Sequence, residues 1–354
     1  MSSPNFVHLH LHTQYSLLDG ANKISEVIER AHALGQPAIG MTDHGNLHGA
    51  IEFFQTAKKV GIKPIIGCEL YVTPGSRFER KTRAGGGEGT HHLTVLAKST
   101  RGYHNLCKLS TRAYREGFYF KPRVDHELLA EFSSDLIILS GCLASEIGHF
   151  SRDGNIEGAR RLVEFYKKTY KDNFYFEIQP HPIPEQRQLN QLCIELAQSM
   201  GIPMVATTDC HYLNKDDHFA QEVLMCVSTG KQITDPTRIR HEGISLHLKT
   251  ATEMIEEFSA GSHIEEALRN SLDIADKCSV DFNFKIHYMP QFKSEDTRPL
   301  IEIMAFYARE GLAKRLELLA EIRGPLDPLL LKTYHDRIEE EIRLIDRMGF
   351  AGYF

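Results

Sequence analysis

No two of the seven cysteines in this 354-residue chain stand in a C-x-x-C arrangement. An odd number at scattered spacing argues against a disulfide framework, so most are expected to behave as small buried hydrophobes. Long apolar runs are missing as well. Stretches such as Leu136 to Leu139 are far too short to span a bilayer. The start, Met1-Ser-Ser-Pro-Asn5, lacks the basic and apolar regions of a signal peptide. A surplus of positive charge is also lacking. A formal net charge of -6 does not describe a protein that holds DNA by bulk electrostatics alone. The expectation is a cytoplasmic protein with no membrane contact.

What is present is ordinary except in one respect. Hydrophobic residues make up 42% and charged residues 25%, the balance of a globular chain large enough for one big domain or two small ones. A core of that size needs no disulfide support. Histidine, at 19, is the unusual count. Histidine is the commonest metal ligand at neutral pH, but position decides whether it binds anything.

Residues 6–12, Phe-Val-His-Leu-His-Leu-His, alternate with period two and predict a strand. Asn22 is expected to cap a helix whose Ile24, Val27, Ile28, Ala31 and Leu34 share a face, with Gly35 ending it. Strands are predicted near 38–42, 64–72, 93–97, 136–140, 174–178 and 204–208. Helices are predicted between them, near 47–60, 103–113, 155–170, 185–200 and 217–227. About seven βα units with short apolar strands favour a sheet covered on both faces. The α/β pattern suits a TIM-like barrel somewhat better than an open sheet, which the sequence leaves available. Two polar excursions interrupt it, the basic then glycine-rich stretch 76–90, predicted to be a mobile loop, and residues 238–247. The barrel is assigned to 1–283. After it, 300–319 and 333–348 predict two amphipathic helices, a C-terminal helical extension over 284–354. The close at Gly349-Phe-Ala-Gly-Tyr-Phe354 suggests a fragment of a longer chain.

The strand ends carry the chemistry. His8, His10 and His12 share one face of the first strand. His10 and His12 lie toward its carboxyl end, where barrel sites form, and His8 is expected to be an interior hydrogen-bonded residue. Thr42-Asp43-His44 follows the second strand, Cys68-Glu69 lies on the third, Ser140-Gly-Cys142 follows another, and Asp209-Cys-His211 follows the last. One such pair would be an ordinary polar loop. Ligand-type residues at four or five strand ends are not. Asp19, in Leu17-Leu-Asp-Gly20, alone reads as a turn carboxylate. His92 is out of place, at the start of its strand rather than the end. Histidine, carboxylate and one thiolate together suit zinc, with manganese or iron as alternatives. A bridging carboxylate can hold two metals roughly 3.5–4 Å apart, and bound water can reach a pKa of about 7. Asp43 and Asn46 read equally well as supports for ligands or as loop hydrogen-bonders.

These segments resemble a known family. His10-Leu-His12-Thr, Ser16-Leu-Leu-Asp-Gly20, Thr42-Asp-His44-Gly-Asn46, Gly67-Cys-Glu69, His92-Leu-Thr-Val-Leu, Gly141-Cys142 and Asp209-x-His211 resemble the polymerase and histidinol phosphatase (PHP) superfamily. The 6–20 segment, Gly102-Tyr-His-Asn-Leu-Cys-Lys-Leu109 and Phe118-Tyr-Phe-Lys-Pro-Arg123 resemble its branch at the N-terminus of bacterial DNA polymerase III alpha subunits, and 348–354 resembles the approach to the polymerase palm. The resemblance covers nearly the whole chain. It implies a distorted seven-stranded (β/α)7 TIM-like barrel with up to three divalent metals. His10, His12, Glu69 and Asp209 would hold one. Glu69, His92 and Cys142 would hold a second, with Glu69 bridging. Asp19, His44 and His211 would hold the third. Glu69 and Asp209 would then be the catalytic pair, bridging metals and positioning the attacking water, with Cys142 a ligand rather than a nucleophile.

The resemblance further implies a 3′–5′ exonuclease in a proofreading role, acting on the 3′ end of a DNA primer. Expected partners are the remaining polymerase domains, the sliding clamp and a proofreading subunit. Arg77, Arg80, Lys81 and Arg83 are candidates to follow a phosphate backbone, against a solvated loop tip as the competing reading. Lys121 and Arg123, beside Tyr119 and Phe120, are candidates to hold a strand by charge and stacking. A metal-binding scaffold that braces the polymerase and a small-molecule phosphatase are the two other readings. Polymerisation itself is not expected of these residues.

Overall fold

A computed structural model describes residues 6–80, 89–258, 262–286, 288, 290 and 292–354. The elements run in the order α1 (Ile24–Ala33), β1 (Ala38–Met41), α2 (Ala50–Val60), β2 (Lys63–Val72), β3 (His91–Ala97), α3 (Thr100–Arg115), β4 (Arg123–Val124), α4 (His126–Glu131), β5 (Leu136–Leu139), α5 (Glu146–Arg152), α6 (Ile156–Tyr170), β6 (Phe174–Ile178), α7 (Pro184–Met200), β7 (Met204–Ala206), α8 (His218–Thr229), α9 (Ala251–Glu257), α10 (Ser262–Lys277), α11 (Leu300–Arg323) and α12 (Pro328–Arg347). The chain divides into two compact units, through Phe282 and from Asn283. Among the described residues no helix is long and apolar enough to cross a membrane.

The first unit is an α/β barrel built on a mixed, curled sheet in the order β1-β2-β3-β5-β6-β7, with β4 beside β2. The predicted first strand makes only isolated bridges, yet it joins the two sheet edges. Gly40 N–H donates to His8 O (2.7 Å) and Thr42 N–H to Leu11 O (2.8 Å) on one side; His12 N–H donates to Cys210 O (2.8 Å) and Cys210 N–H to His10 O (3.1 Å) on the other. A TIM-like barrel would have all its strands parallel, but β3 is antiparallel to both β2 and β5. That reversal explains His92. A residue at the start of an antiparallel strand lies at the same end of the sheet as residues that finish its parallel neighbours.

Strand alternation then sorts the side chains. On one face Ile65, Leu96, Ile137, Leu139 and Tyr175 cluster with Ile274, Ala275 and Cys278 at the α10 end. Two and four residues further toward the other end, the same face presents Thr94, His92, Glu69 and Glu177. The opposite face, with Ile66, Cys68, Leu70, Val95, Ile138, Phe174 and Phe176, belongs to the main core under the helices. One local expectation is corrected. Lys23, not Asn22, precedes α1 as its cap, and Asn22 instead donates its amide to His12 O (2.9 Å), tying α1 to the closing segment. Gly35 takes φ 74 directly after the helix, the left-handed stop that glycine accepts without strain.

The second unit contains α11 and α12. Asp327 caps α12 through Leu329 N–H (2.9 Å) and Pro328 occupies its first turn, where a missing N–H is harmless. Arg309 on α11 grips Glu339 on α12 with two hydrogen bonds of 2.6 and 2.8 Å.

Candidate metal centre

The nine residues singled out as ligands come together at one end of the barrel. Glu69, 1% exposed, is their centre. Its Oε1 lies 3.2 Å from His10 Nε2 and 3.1 Å from His92 Nδ1. Its Oε2 lies 2.7 Å from His44 Nδ1 and 3.5 Å from His12 Nε2. Asp209 Oδ1 lies 3.1 Å from His10 Nε2 and 3.0 Å from His12 Nε2. Cys142 Sγ is 3.8 Å from Glu69 Oε1 and 3.9 Å from His92 Nδ1. Asp19 Oδ2 is 3.0 Å from His44 Nε2 and 3.6 Å from His211 Nε2. His44 thus faces Glu69 with one nitrogen and Asp19 with the other. His8 stays outside this cluster, with Nε2 against Lys249 O (2.9 Å) and Nδ1 against Thr208 Oγ1 (3.2 Å).

Supporting hydrogen bonds fix which nitrogen of each imidazole faces the cluster. His10 Nδ1–H donates to Glu177 Oε1 at 2.6 Å, so its Nε2 faces Glu69 and Asp209. Glu177 is fully buried and also accepts from Thr94 Oγ1, Gly141 N–H, Gln179 Nε2 and Thr207 Oγ1. Ser16 Oγ–H donates to Asp43 Oδ1 (2.8 Å) and therefore accepts from His12 Nδ1–H (2.9 Å), leaving His12 Nε2 to the cluster. Asp43 also accepts from Thr13 N–H and Thr13 Oγ1. It acts on His12 through Ser16. Asn46 donates to Tyr15 O and His44 O and shapes the loop backbone without touching a ligand side chain.

Several buried atoms here approach one another without making a hydrogen bond: His10 Nε2, His12 Nε2, His44 Nδ1, Glu69 Oε2 and Asp209 Oδ1. Buried polar atoms are nearly always paired, and orphans at this density call for a shared partner, which a cation suits because imidazole nitrogens and carboxylate oxygens both offer it lone pairs. Three overlapping donor groups meet the spacing of a metal site, His12 with His44 and His211, His10 with His12 and Glu69, and His44 with Glu69 and His92. Five imidazoles, three carboxylates and a thiol are a donor set suited to zinc, manganese or iron. The residues fit divalent metals.

The electrostatics agree. Burial pushes Glu69 up, but His92, His10 and His44 outweigh it and hold the carboxyl well below the usual range. Burial likewise raises Asp209, and His10 and His211 more than reverse it. Burial together with His44 and His211 pushes His12 down to about 3, so it is neutral at pH 7. Burial also lowers His44 and His211, but Glu69 and Asp19 raise the first to about 10, and Asp209 and Asp19 raise the second to about 9. Burial, Glu69 and Asp209 push the Cys142 thiol far up, which removes it as a free nucleophile.

A cavity of about 260 Å³ opens on these ligands and is also lined by Gln179, His181 and His241. His181 is 5% exposed and its Nδ1 has no partner among the described residues. Neither His181 nor Glu177 was picked out from sequence. Glu177 had a signal, as the one charge in the apolar run Phe174-Tyr-Phe-Glu-Ile178.

The candidate phosphate-binding arginines need correcting. Arg77, 4% exposed, is bound to Asp125 (3.0 Å) and Glu116 (2.8 Å). Arg123, 3% exposed, donates to Gly117 O, Arg77 O and Glu79 O and lies against Tyr119. Arg80 donates to Arg77 O and Glu116 O. All three fasten the 76–80 segment, and Arg77 and Arg123 have no free face for a phosphate. Lys81 and Arg83 lie outside the described residues. Lys121 lies over the Tyr71 ring at 5.3 Å, beside His44 and His92 in a groove next to the cluster.

Comparison with known proteins follows this geometry. The PHP domain family matches residues 8–181. The DNA polymerase III subunit alpha of Aquifex aeolicus is 40% identical over 362 residues, covering 99% of this chain and 31% of that protein. The same subunit of Treponema pallidum is 38% identical over 365 residues, covering 100% of this chain and 29% of that protein. The chain therefore spans about 30% of the length of the curated relatives it matches. A solved two-domain protein of Bacteroides vulgatus, described as containing a predicted PHP-like metal-dependent phosphoesterase, is 15% identical, covers 76% of this chain and 69% of its own, and superposes with a TM-score of 0.37. Residues 8–181, within the first unit, are thus the part of this chain that is similar to the PHP domain family.

Proposed function

We propose that the cluster is a metal-dependent phosphoesterase centre acting as a 3′–5′ exonuclease on DNA, within a chain whose relatives are replicative polymerase subunits. The observation that carries the metal reading is the set of buried, mutually facing and unpaired atoms on His10, His12, His44, Glu69 and Asp209. Divalent metals bound there, zinc foremost, would supply water of lowered pKa and positive charge for phosphate oxygens.

The chain's own residues set the rest. Glu69 turns its two oxygens toward different imidazoles, and in this reading it would be the ligand shared between metals. Asp209, in contact with His10 and His12, would orient an attacking water. Glu177 and the Asp43–Ser16 pair hold His10 and His12 in the ring orientation that ligation needs. Gln179, His181 and His241 line the cavity where a phosphate would sit. In the whole protein the partners would be a primer 3′ end, the other polymerase domains, a sliding clamp and a proofreading subunit.

The test is laddering of a 5′-labelled primer from its 3′ end by the metal-loaded chain. Asp209→Asn should lower the rate by about 100-fold or more, as removal of a group acting directly on the reacting atoms does. Glu164→Ala, an exposed change on α6, should leave it unaltered. A fully loaded wild-type chain that cleaves no phosphoester would overturn the assignment in favour of a metal-binding scaffold.

A further inference from the structure

The groove beside the cluster, about 680 Å³, has Asp19, His44 and His92 at one end, so it is continuous with the metal centre. Its other walls are unusually apolar for open surface. Leu17 is 72% exposed, Leu18 45%, Phe118 51% and Phe120 60%. Leu18 and Phe120 sit at φ 60 and 59, a left-handed conformation that bulky side chains rarely adopt. Tyr119 N–H donates to Lys121 O (3.0 Å) and closes the turn that keeps Phe120 there. Such strain persists where the surrounding structure enforces it, and it concentrates at ligand-binding positions. Tyr71 joins the groove to the centre. Its ring stacks 5.8 Å from His44 and meets His92 edge-on at 5.3 Å. Lys121 lies over the same ring, and among the described residues no carboxylate pairs with its ammonium.

Open aromatic faces beside an unpaired cation match an unpaired nucleic acid strand. Bases stack on aromatic rings without regard to sequence, while a cation takes the backbone. We propose that this groove seats the unpaired 3′-terminal nucleotides of the DNA strand, with bases against Phe118 and Phe120 and a phosphate at Lys121. The proposal rests on the exonuclease reading and adds a specificity to it. In a matched duplex end the base faces are already stacked on their neighbours, so frayed or mismatched ends fit the groove and matched ends do not.

The experiment measures anisotropy of a 5′-labelled oligo-dT whose terminal linkages are phosphorothioate, so that binding is read without turnover. The whole 354-residue chain is compared with its F118A/F120A and Lys121→Ala variants, each checked for wild-type melting and metal content. The wild type should bind the base-bearing end on the order of tenfold more tightly than the same oligonucleotide with abasic terminal residues. F118A/F120A should lose that preference. Lys121→Ala should weaken both ligands and reduce the salt dependence by about one phosphate contact. A wild type without base preference, or a double variant that keeps it, overturns the proposal and points instead to a protein partner on this surface. Cleavage of methyl p-nitrophenyl phosphate and of unmodified oligonucleotide by the wild type tests the exonuclease reading separately. If neither is cleaved while base-dependent binding persists, the exonuclease reading fails and the groove assignment stands.

Discussion

Glu177→Gln asks whether the centre depends on a residue that touches no proposed metal. In the wild type the carboxylate only accepts, and five donors converge on it. A carboxamide has one acceptor oxygen and an NH2 that must face some of those donors. The threonine hydroxyls can turn to accept, but Gly141 N–H cannot. If the new NH2 faces His10, the ring must accept at Nδ1 and carry its proton on Nε2, the atom aimed at Glu69 and Asp209. If it faces Gly141, two donors oppose each other. Even in the better case a charge-assisted hydrogen bond becomes a neutral one, a loss of about 1–2 kcal/mol. That is roughly 5- to 30-fold in metal affinity, overlapping the lower part of the roughly 10- to 100-fold typical of changes behind a ligand. Competition with a chromophoric chelator measures the zinc affinity, and melting in excess chelator isolates the cost to the metal-free fold. Zinc affinity within twofold of wild type would refute the claim that Glu177 sets the His10 ring.

Metal binding should release protons at neutral pH, because His44 and His211, raised to about 10 and about 9, must each give up a proton to ligate. Calorimetry in two buffers of different ionisation enthalpy should show net release, with affinity rising with pH toward about 10; no release would contradict it. His8 is lowered from 6.5 to about 4 by burial, so the unfolded chain binds more protons between those values. Its contribution is intact above pH 6.5 and lost as pH falls toward 4, a loss of about 3 kcal/mol. Urea titrations in chelator should find that difference in pH dependence between wild type and His8→Gln, and parallel curves would refute it. Gly20→Ala would place a Cβ 2.2 Å from Thr13 O, so it should destabilise the fold and shift the loop carrying Asp19. Gly311→Ala, in α11 with no neighbour within 4 Å, should stabilise by about 0.4–1 kcal/mol. Melting of the two variants in opposite directions checks both.

Much of this molecule is legible locally. The helices and strands announce themselves by period and by glycine stops, and α6, α7 and β6 fall within a residue or two of their sequence assignments. The convergence of the candidate ligands was legible because the carboxyl ends of parallel strands share one end of the sheet. His92 broke the pattern because strand direction is set by pairing, and nothing within residues 91–97 encodes that β3 runs against its neighbours. Arg77 and Arg123 misled for a related reason. A basic residue reads as surface from sequence, but Arg77 is buried against Asp125 and Glu116, far along the chain, and Arg123 against the backbone oxygens of Arg77 and Glu79. The two-residue β4 and six-residue α4 are too short for any period to register.

The segment that joins the sheet edges is also the segment that carries His10 and His12. Barrel closure and ligand binding therefore share the same residues. Cation uptake should act as a clasp on the seam, slowing hydrogen exchange at the amides of His12, Gly40, Thr42 and Cys210 more than at the interior amides of α6 or α7. A seam held by isolated bridges would thereby be the line most strengthened by the ligand, and its opening frequency would be a gauge of how much metal the surroundings provide.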